Sequence, residues 1–266
     1  MAPVSVRPHG LDAGRVVQST FRVLASDWPA FLALGAVCSL LPRLLARWVV
    51  FQPAVIGLGQ GSLLGRAVLS GGLTLAIEVL PAALLVGVIA ARATSELGLQ
   101  RQPLAACLAA AARRTPVLAA ASLLMNLGVS LGLVLLIAPG ALLLLAWCVA
   151  LPAAAVERGA VLAAVRRSAD LTRGHRKTIL LLVLAAGFVA GMLALAFGLG
   201  LGLAAAPLRA YVPQAIVPGD PGVVIGGAVG GALSAVIFAA GAAALYHELR
   251  QLKEAGGADA LAAVFD

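Results

Sequence analysis

The stretch from Pro116 to Val156 constrains the fold of this chain most, because its 41 residues include no charged side chain. A helix that crosses a membrane needs about 20 apolar residues. The stretch is therefore long enough for two such helices, and Pro139-Gly140 near its middle predicts the turn between them. We expect the chain to be an integral membrane protein.

Other apolar segments predict four more spans, so the expected fold class is all-α, a polytopic membrane helical bundle with six transmembrane helices. Hydrophobic residues make up 62% of the 266 residues and charged residues only 11%, whereas about a quarter of the residues in soluble proteins are charged. No polar stretch is long enough for a separate soluble domain, so residues 1–266 are expected to form one membrane domain. The predicted spans are about 29–46, with a bend or end near Pro42, then 71–91, 116–137, 140–156, 178–205 and 222–246.

The basic residues predict the orientation, because Lys and Arg concentrate in cytoplasmic loops. With the N-terminus inside, 15 of the 19 basic residues lie on the inner side. We therefore expect both termini to be cytoplasmic. The net charge of +8 then reflects these loops and nearby anionic lipid headgroups, so membrane lipids are the expected partners and nucleic acid is not. The 17 Arg against 2 Lys, with abundant Ala and Gly, indicate a GC-rich bacterial genome and hence the bacterial inner membrane.

Three inner segments predict interfacial amphipathic helices, each running into an outward span. Apolar residues at helical spacing with basic residues opposite are typical of helices that lie in the membrane interface. Asp27-Trp28-Pro29 and Thr115-Pro116 each place a capping side chain before proline, which predicts a helix start. The possible units are then about 11–91, 96–156 and 158–246, and internal duplication or chance recurrence would each account for them. The predicted apolar faces are Val16, Val17, Phe21 and Leu24; Leu104, Cys107, Leu108 and Ala111; and Val161, Leu162, Val165 and Ala169.

Small residues recur at four-residue spacing in the last two spans, and this predicts that those spans pack closely. Packing at small residues, rather than hydrophobicity, holds helices together in lipid. The alternative is a face that contacts a second copy of the chain or another membrane protein. The residues are Ala186, Ala190, Ala194, Gly198, Gly202 and Ala206 in the fifth span, and Gly222, Gly226, Gly230 and Ser234 in the sixth.

Glu78 is the acidic residue placed well inside a span, three residues before Pro81. A carboxylate in lipid is costly and usually faces the bundle, where it finds a partner. Asn126 and Arg43 are the candidate partners. One hypothesis is a proton or cation site beside a helix break at Pro81, and the other is a buried polar contact that only stabilises the fold. A polar, water-filled cavity reaching Glu78 would favour a small transporter or channel, and a dry bundle would exclude one.

A basic inner loop provides the second candidate site. Its side chains could hold phosphate headgroups, or they could be an ordinary cytoplasmic loop that fixes the orientation. Gly174 within it suits the end of a helix. The candidate headgroup contacts are Arg158, Arg166, Arg167, Arg173, Arg176 and Lys177.

Signatures of enzymes are missing from the sequence. His9, His175 and His247 all lie outside the predicted spans, and no HExxH, phosphate-binding loop or metal-ligand cluster is present. The three cysteines, Cys38, Cys107 and Cys148, are scattered and fit small buried hydrophobic residues better than disulfides. We therefore expect no catalytic residue, no metal and no cofactor.

Four segments together resemble a known family: Ser19 to Leu24 ahead of Trp28-Pro29; Ala138-Pro139-Gly140; Glu157-Arg158-Gly159 with Arg167-Ser168 and Leu171 to Gly174; and Tyr246 to Arg250 with Val264 to Asp266. Their order is similar to that in bacterial proteins related to the glycerophosphoryl diester phosphodiesterase membrane domain.

In full-length enzymes of that family the hydrolase is a separate soluble barrel, so the resemblance implies the membrane part alone and no catalytic residue. The sequence thus predicts a non-enzymatic membrane protein that interacts with lipids or serves as an accessory scaffold. The alternative is a small transporter or channel with an intramembrane site at Glu78.

Overall fold

The computed structural model describes residues 11–50, 62–97, 102–157, 159–205 and 221–265, and every regular element in these ranges is a helix. A π-helical turn, Ala36–Leu40, joins the second helix to the third. The α-helices are α1 Ala13–Ser26, α2 Trp28–Gly35, α3 Leu41–Val50, α4 Leu63–Leu97, α5 Leu104–Leu135, α6 Ile137–Trp147, α7 Ala150–Val156, α8 Val161–Thr172, α9 Arg176–Ala205 and α10 Pro221–Phe265.

Six helical segments are long and apolar enough to cross a membrane, which confirms the predicted all-α fold with six candidate spans. The span in α9 shows this most clearly, because only 6% of its most apolar window is buried within the protein. Side chains such as Phe188, Leu195 and Leu203 are therefore left for lipid to cover. The segments are Trp28–Val50, Ala67–Leu97, Leu104–Gly132, Ala138–Val156, Arg176–Ala204 and Gly222–Glu254.

The described residues group into two compact units. Unit one draws on Met1–Ser26, Gly87–Leu184 and Ala240–Asp266, and unit two on Asp27–Val86 and Ala185–Ala239. Unit one buries large side chains such as Leu118, Leu171 and Tyr246, and unit two buries Phe31 and Leu85. This grouping differs from the three units proposed from the sequence, and the internal repeat stays a prediction.

The first span continues past Pro42 and ends at Val50. A proline inside an α-helix lacks one N–H and collides with the carbonyl four residues earlier, here that of Cys38. Cys38 belongs to the π-helical turn Ala36–Leu40, and the Leu41 N–H donates to the Ala36 carbonyl five residues back. This wider turn accommodates the proline ring without ending the helix. Pro81 likewise lies inside α4 without ending it, so the break expected there was wrong.

The turn of the central hairpin lies at Leu136, not at Pro139-Gly140 as predicted. Leu136 has extended backbone angles, φ −161° and ψ 137°, between α5 and α6. Pro139 falls in the first turn of α6, where proline is favoured because the N–H groups there have no intrahelical acceptor. Gly140 serves the packing instead, because a Cβ on Gly132 would lie 2.8 Å from the Gly140 Cα.

The fourth span, predicted to be continuous, is broken by a turn at Cys148-Val149 between α6 and α7. The end of α6 leaves carbonyls without intrahelical donors. The buried hydroxyl of Ser168, from α8, donates to the Ala146 carbonyl at 2.8 Å. A side chain from another helix therefore supplies a hydrogen-bond donor at the break. No pattern within the sequence of the fourth span reveals this contact.

The three segments predicted to be interfacial helices differ in detail from the prediction. The second is the first part of α5 and passes through Pro116, so Thr115 is not an N-cap; its hydroxyl donates to the Ala111 carbonyl at 3.1 Å. The predicted apolar faces are only partly buried, because Phe21 in α1 and Leu162 in α8 are 67% and 62% exposed. Apolar spacing identifies a helix face but does not say whether protein or lipid covers it.

The ends of two helices lie where they were predicted. α2 begins at Trp28 after Asp27, with proline in its first turn, but the Asp27 side chain does not make the predicted capping hydrogen bond. Gly174 has φ +91° in the turn that follows α8, a left-handed conformation that glycine adopts without a steric penalty.

Candidate functional site

Unit two contains a polar cleft of about 510 Å³ that extends to Arg43 in the first span and to Glu78 in the second. Both polar and apolar side chains line it, which is unusual between helices that are otherwise apolar. The lining residues are Arg43, Ala46, Arg47, Val50, Ser70, Thr74, Glu78, Val224, Gly227 and Ala228. We call this space the outer cleft, to distinguish it from a smaller cavity beyond Arg43 and Glu78 that is described below.

The polar lining comes from two helices at regular spacing. Arg43 and Arg47 lie four residues apart on α3, and Ser70, Thr74 and Glu78 follow the same interval on α4. Residues four apart share one face of an α-helix, so each helix presents a polar stripe to the cleft. α10 contributes only small or apolar residues to the lining.

Arg43 and Glu78, proposed as partners from the sequence, lie close together at the inner end of the outer cleft. The Arg43 Nε and Glu78 Oε2 atoms are 3.8 Å apart, and each side chain is 32% exposed. The two side chains form an ion pair, but the distance between these atoms is too long for a hydrogen bond. The guanidinium of Arg43 lies against Gly231 of α10, where any larger side chain would overlap Nη1. Gly231 thus makes room for the arginine.

A second, smaller cavity of about 60 Å³ lies on the other side of the ion pair. Its volume is enough for water. Arg43 and Glu78 line both spaces, so the ion pair stands between the outer cleft and this inner cavity. The remaining lining residues of the inner cavity are Cys38, Ser39, Ala82, Leu85, Val86 and Ala235.

Asn126, the other candidate partner of Glu78, makes its hydrogen bonds within its own helix. Its Nδ2 atom donates to the Ser122 carbonyl at 2.8 Å and approaches the Ser122 hydroxyl at 3.4 Å. The side chain of Asn126 is otherwise exposed. Its polar group is therefore satisfied locally, as is common for polar side chains in apolar helices.

Unit one has a polar cluster around Glu157 that the sequence reasoning missed. One carboxylate oxygen of Glu157 accepts hydrogen bonds from Arg167 Nε at 3.0 Å and from the Tyr246 hydroxyl at 2.9 Å. Tyr246 is buried, with 1% of its surface exposed. The carboxylate thus ties α8 and the part of α10 around Tyr246 to the end of α7, which indicates a structural role.

Arg114 of α5 completes this cluster. Its Nη1 atom donates to the carbonyls of Ala154, Ala155 and Glu157 at 2.8, 3.0 and 2.6 Å. Ala154 and Ala155 lie in the last turn of the seven-residue helix α7 and Glu157 follows it, so their carbonyls have no intrahelical donor. The guanidinium therefore acts as a C-terminal cap supplied by another helix, with the charge sign that a helix C-terminus favours.

The basic loop residues proposed as headgroup contacts are placed differently from one another. Arg158 lies outside the described residues. Arg167 is engaged by Glu157, and Arg173 lies 3.7 Å from Asp170 in an exposed pair. Arg166, Arg176 and Lys177 are exposed and form no ion pair with any residue that the structure describes.

The small residues of the last two spans meet within unit two. A Cβ on Gly226 would overlap the Phe197 carbonyl and lie 2.9 Å from the Gly198 Cα. A Cβ on Gly230 would lie 2.7 Å from the Ala194 Cα. Gly202 and Gly222 are buried as well. The backbones of α9 and α10 therefore approach each other at glycine, as small residues permit in lipid.

Comparisons with protein-family models, with curated proteins and with solved structures found no match. Among the residues that the structure describes, no three His, Cys, Asp or Glu side chains are grouped so as to hold a metal ion. The outer cleft and its ion pair are therefore described from their own chemistry.

Proposed function

We propose that this chain is a small transporter or channel of the bacterial inner membrane that admits a polar solute to the Arg43–Glu78 pair. The observation that carries the proposal is the outer cleft, which is lined by two polar stripes and reaches Glu78. Ionisable side chains within a span are costly and mark solute pathways when they line a cavity. A scaffold would not require this cleft, whereas a solute pathway would.

The ion pair is suited to close the pathway. It lies between the outer cleft and the inner cavity, and separation of the two side chains would join these spaces. The helices beside it carry a π-helical turn in the first span and Pro81 in the second, both of which weaken regular helical hydrogen bonding. Such irregularities are frequent at functional sites in membranes.

The orientation belongs to the same proposal. With both termini cytoplasmic, the ends of the first two spans that hold Arg47 and Ser70 lie on the outer side of the membrane. The outer cleft then opens away from the cytoplasm. A relation to the glycerophosphoryl diester phosphodiesterase membrane domain, without its catalytic barrel, is part of the proposal too and rests on the four sequence segments.

The second candidate is a lipid-interacting or accessory scaffold protein. It is supported by the exposed Arg166, Arg176 and Lys177, together with the exposed Leu162 on α8. Basic and apolar side chains side by side are suited to anionic headgroups at the membrane interface. A dry outer cleft would favour this candidate.

Water access to the outer cleft can be measured with a single cysteine. In a background with the three native cysteines replaced by alanine, Thr74→Cys should react rapidly with a membrane-impermeant, charged thiol reagent added to the outside of intact spheroplasts. Ala76→Cys is the matched control, because residue 76 lies on the same helix but is exposed outside the cleft lining. Thr74→Cys reacting no faster than Ala76→Cys would contradict the proposed function.

The closing role of the ion pair has its own test at Ser39, which is buried and lines the inner cavity. In the same background, Ser39→Cys should be unreactive while Arg43 and Glu78 are present. It should become reactive from outside in the variant that also carries Arg43→Ala and Glu78→Ala, since that variant removes the barrier without leaving an unpaired charge. Protection of residue 39 in both proteins would show that other groups close the pathway.

A further inference from the structure

We infer that the outer cleft binds an oxyanion, a phosphate or carboxylate group, between Arg43 and Arg47, and that this anion replaces Glu78 as the partner of Arg43. The inference rests on the proposed function and names the class of solute. It reverses the sign of the proton or cation site at Glu78, which was one of the two hypotheses drawn from the sequence.

The charges of the outer cleft are unequal. Two guanidinium groups line it against one carboxylate, so its lining carries one net positive charge. Arg47 is exposed in the cleft and forms no ion pair with any residue in the described ranges. In a low-dielectric region this excess favours an anion and opposes a cation at Glu78.

Arg43 also has unused hydrogen-bonding capacity. It is only 32% exposed, yet across the described part of the chain its one charged partner is Glu78, at the non-hydrogen-bonding distance of 3.8 Å. A guanidinium group carries five N–H donors in a planar fork. Polar groups removed from water normally have partners, and a planar oxyanion or a phosphate can satisfy two of these donors at once.

The rest of the lining fits an anionic group on a small solute or on a lipid. Thr74 lies one helical turn from Glu78 and offers a hydroxyl that can donate to an oxyanion. Val50 and Val224 supply apolar walls. A free anion from the outer solution and the phosphate of a lipid headgroup share this chemistry, and the experiment below separates them.

Because the anion competes with Glu78 for Arg43, two variants should shift the affinity for the anion in opposite directions. For the purified protein in a neutral detergent, the rise in melting temperature with inorganic phosphate or acetate gives an apparent affinity for each anion. This affinity should fall about tenfold in Arg47→Gln, since a charge-assisted hydrogen bond is lost. Glu78→Gln should bind the same anion severalfold more tightly, because Arg43 no longer has a carboxylate partner. Arg113→Gln, an exposed arginine of unit one, is the control and should behave as the parent protein.

The source of the anion follows from the same protein in nanodiscs. If phosphatidylglycerol stabilises the protein more than phosphatidylcholine, and Arg47→Gln removes the difference, the ligand is a lipid headgroup. If only inorganic phosphate or acetate stabilises the protein, the ligand is a soluble anion. Either result supports an anion site. The inference is overturned if none of these probes stabilises the protein, or if Arg47→Gln and Arg113→Gln behave alike. Arg47 is exposed, so that comparison holds even if Glu78→Gln fails to fold. Labelling of Thr74→Cys without anion binding would leave the proposed function standing and remove only its anion.

Discussion

Alanine at Gly230 is expected to destabilise the protein by at least about 2 kcal/mol, the scale of overpacking in a tightly packed interior. The added Cβ would lie 2.7 Å from the Ala194 Cα and 2.8 Å from the Leu193 carbonyl oxygen. Both atoms belong to the backbone of α9, so no side-chain rotation relieves the overlap. The two helices must separate, and the contacts between them weaken along the whole interface.

Gly191→Ala is the matched control on the same pair of helices. Gly191 is exposed, and a Cβ there meets nothing within 4 Å outside its own helix. Alanine at this site should leave the melting temperature unchanged or raise it, since glycine is the weaker helix former. Gly226→Ala should behave like Gly230→Ala, because its Cβ would overlap the Phe197 carbonyl.

Thermal unfolding in detergent, followed by tryptophan fluorescence, measures the difference. Equal melting temperatures for Gly230→Ala and Gly191→Ala would show that the close approach of α9 and α10 does not stabilise the protein. A loss of self-association in Gly230→Ala, with unchanged unfolding, would favour the alternative in which the small residues contact a second copy of the chain. Because Gly230 contacts α9 within one chain, the comparison of melting temperatures tests the packing directly.

The six candidate spans were predictable because they depend on length and apolar content alone. The local irregularities were not. The turn at Leu136 replaced the one expected at Pro139-Gly140 because proline fits the first turn of a helix as well as it fits a loop. The break at Cys148-Val149 depends on the Ser168 hydroxyl from a distant helix, so it cannot be read from the broken segment.

The candidate site was predictable in part for a related reason. Glu78 and Arg43 attract notice because a charge in an apolar span is rare. Ser70 and Thr74 were overlooked because hydroxyl residues are common in such spans and are often satisfied within their own helix. The signal that was available is the four-residue interval between Ser70, Thr74 and Glu78, which places all three on one face. The inner cavity and the room left by Gly231 depend on packing, which sequence spacing does not give.

The Glu157 cluster had a weaker signal. Glu157 is the first charged residue after the 41-residue uncharged stretch, and Tyr246 is one of only two tyrosines. Their contact joins residues 89 positions apart in the chain. A single sequence contains no information that pairs such distant residues, whereas a helical pattern repeats every few residues and is visible locally.

Arg114→Gln is expected to destabilise the protein by about 3 kcal/mol, because unsatisfied buried acceptors and a lost charged donor add together. Arg114 Nη1 donates to three carbonyls at the end of α7, and Ala154 is fully buried. The Glu157 carbonyl keeps a second donor, the Gly159 N–H at 2.9 Å, so the loss falls on the carbonyls of Ala154 and Ala155. Glutamine is shorter and neutral, so it neither reaches all of these carbonyls nor complements the negative end of the helix.

Arg113→Gln provides the control for that variant, since it removes the same charge from the neighbouring position. Arg113 is exposed and has no ion pair with the described residues, so its loss should change the free energy of unfolding by less than about 0.5 kcal/mol. Arg114→Lys should fall between the two, because an ammonium keeps the charge but lacks the planar fork. Chemical unfolding in detergent, monitored by helical circular dichroism, gives the three values. Similar losses for Arg113→Gln and Arg114→Gln would mean that the general positive charge of this part of α5, and not the cap on α7, stabilises the fold.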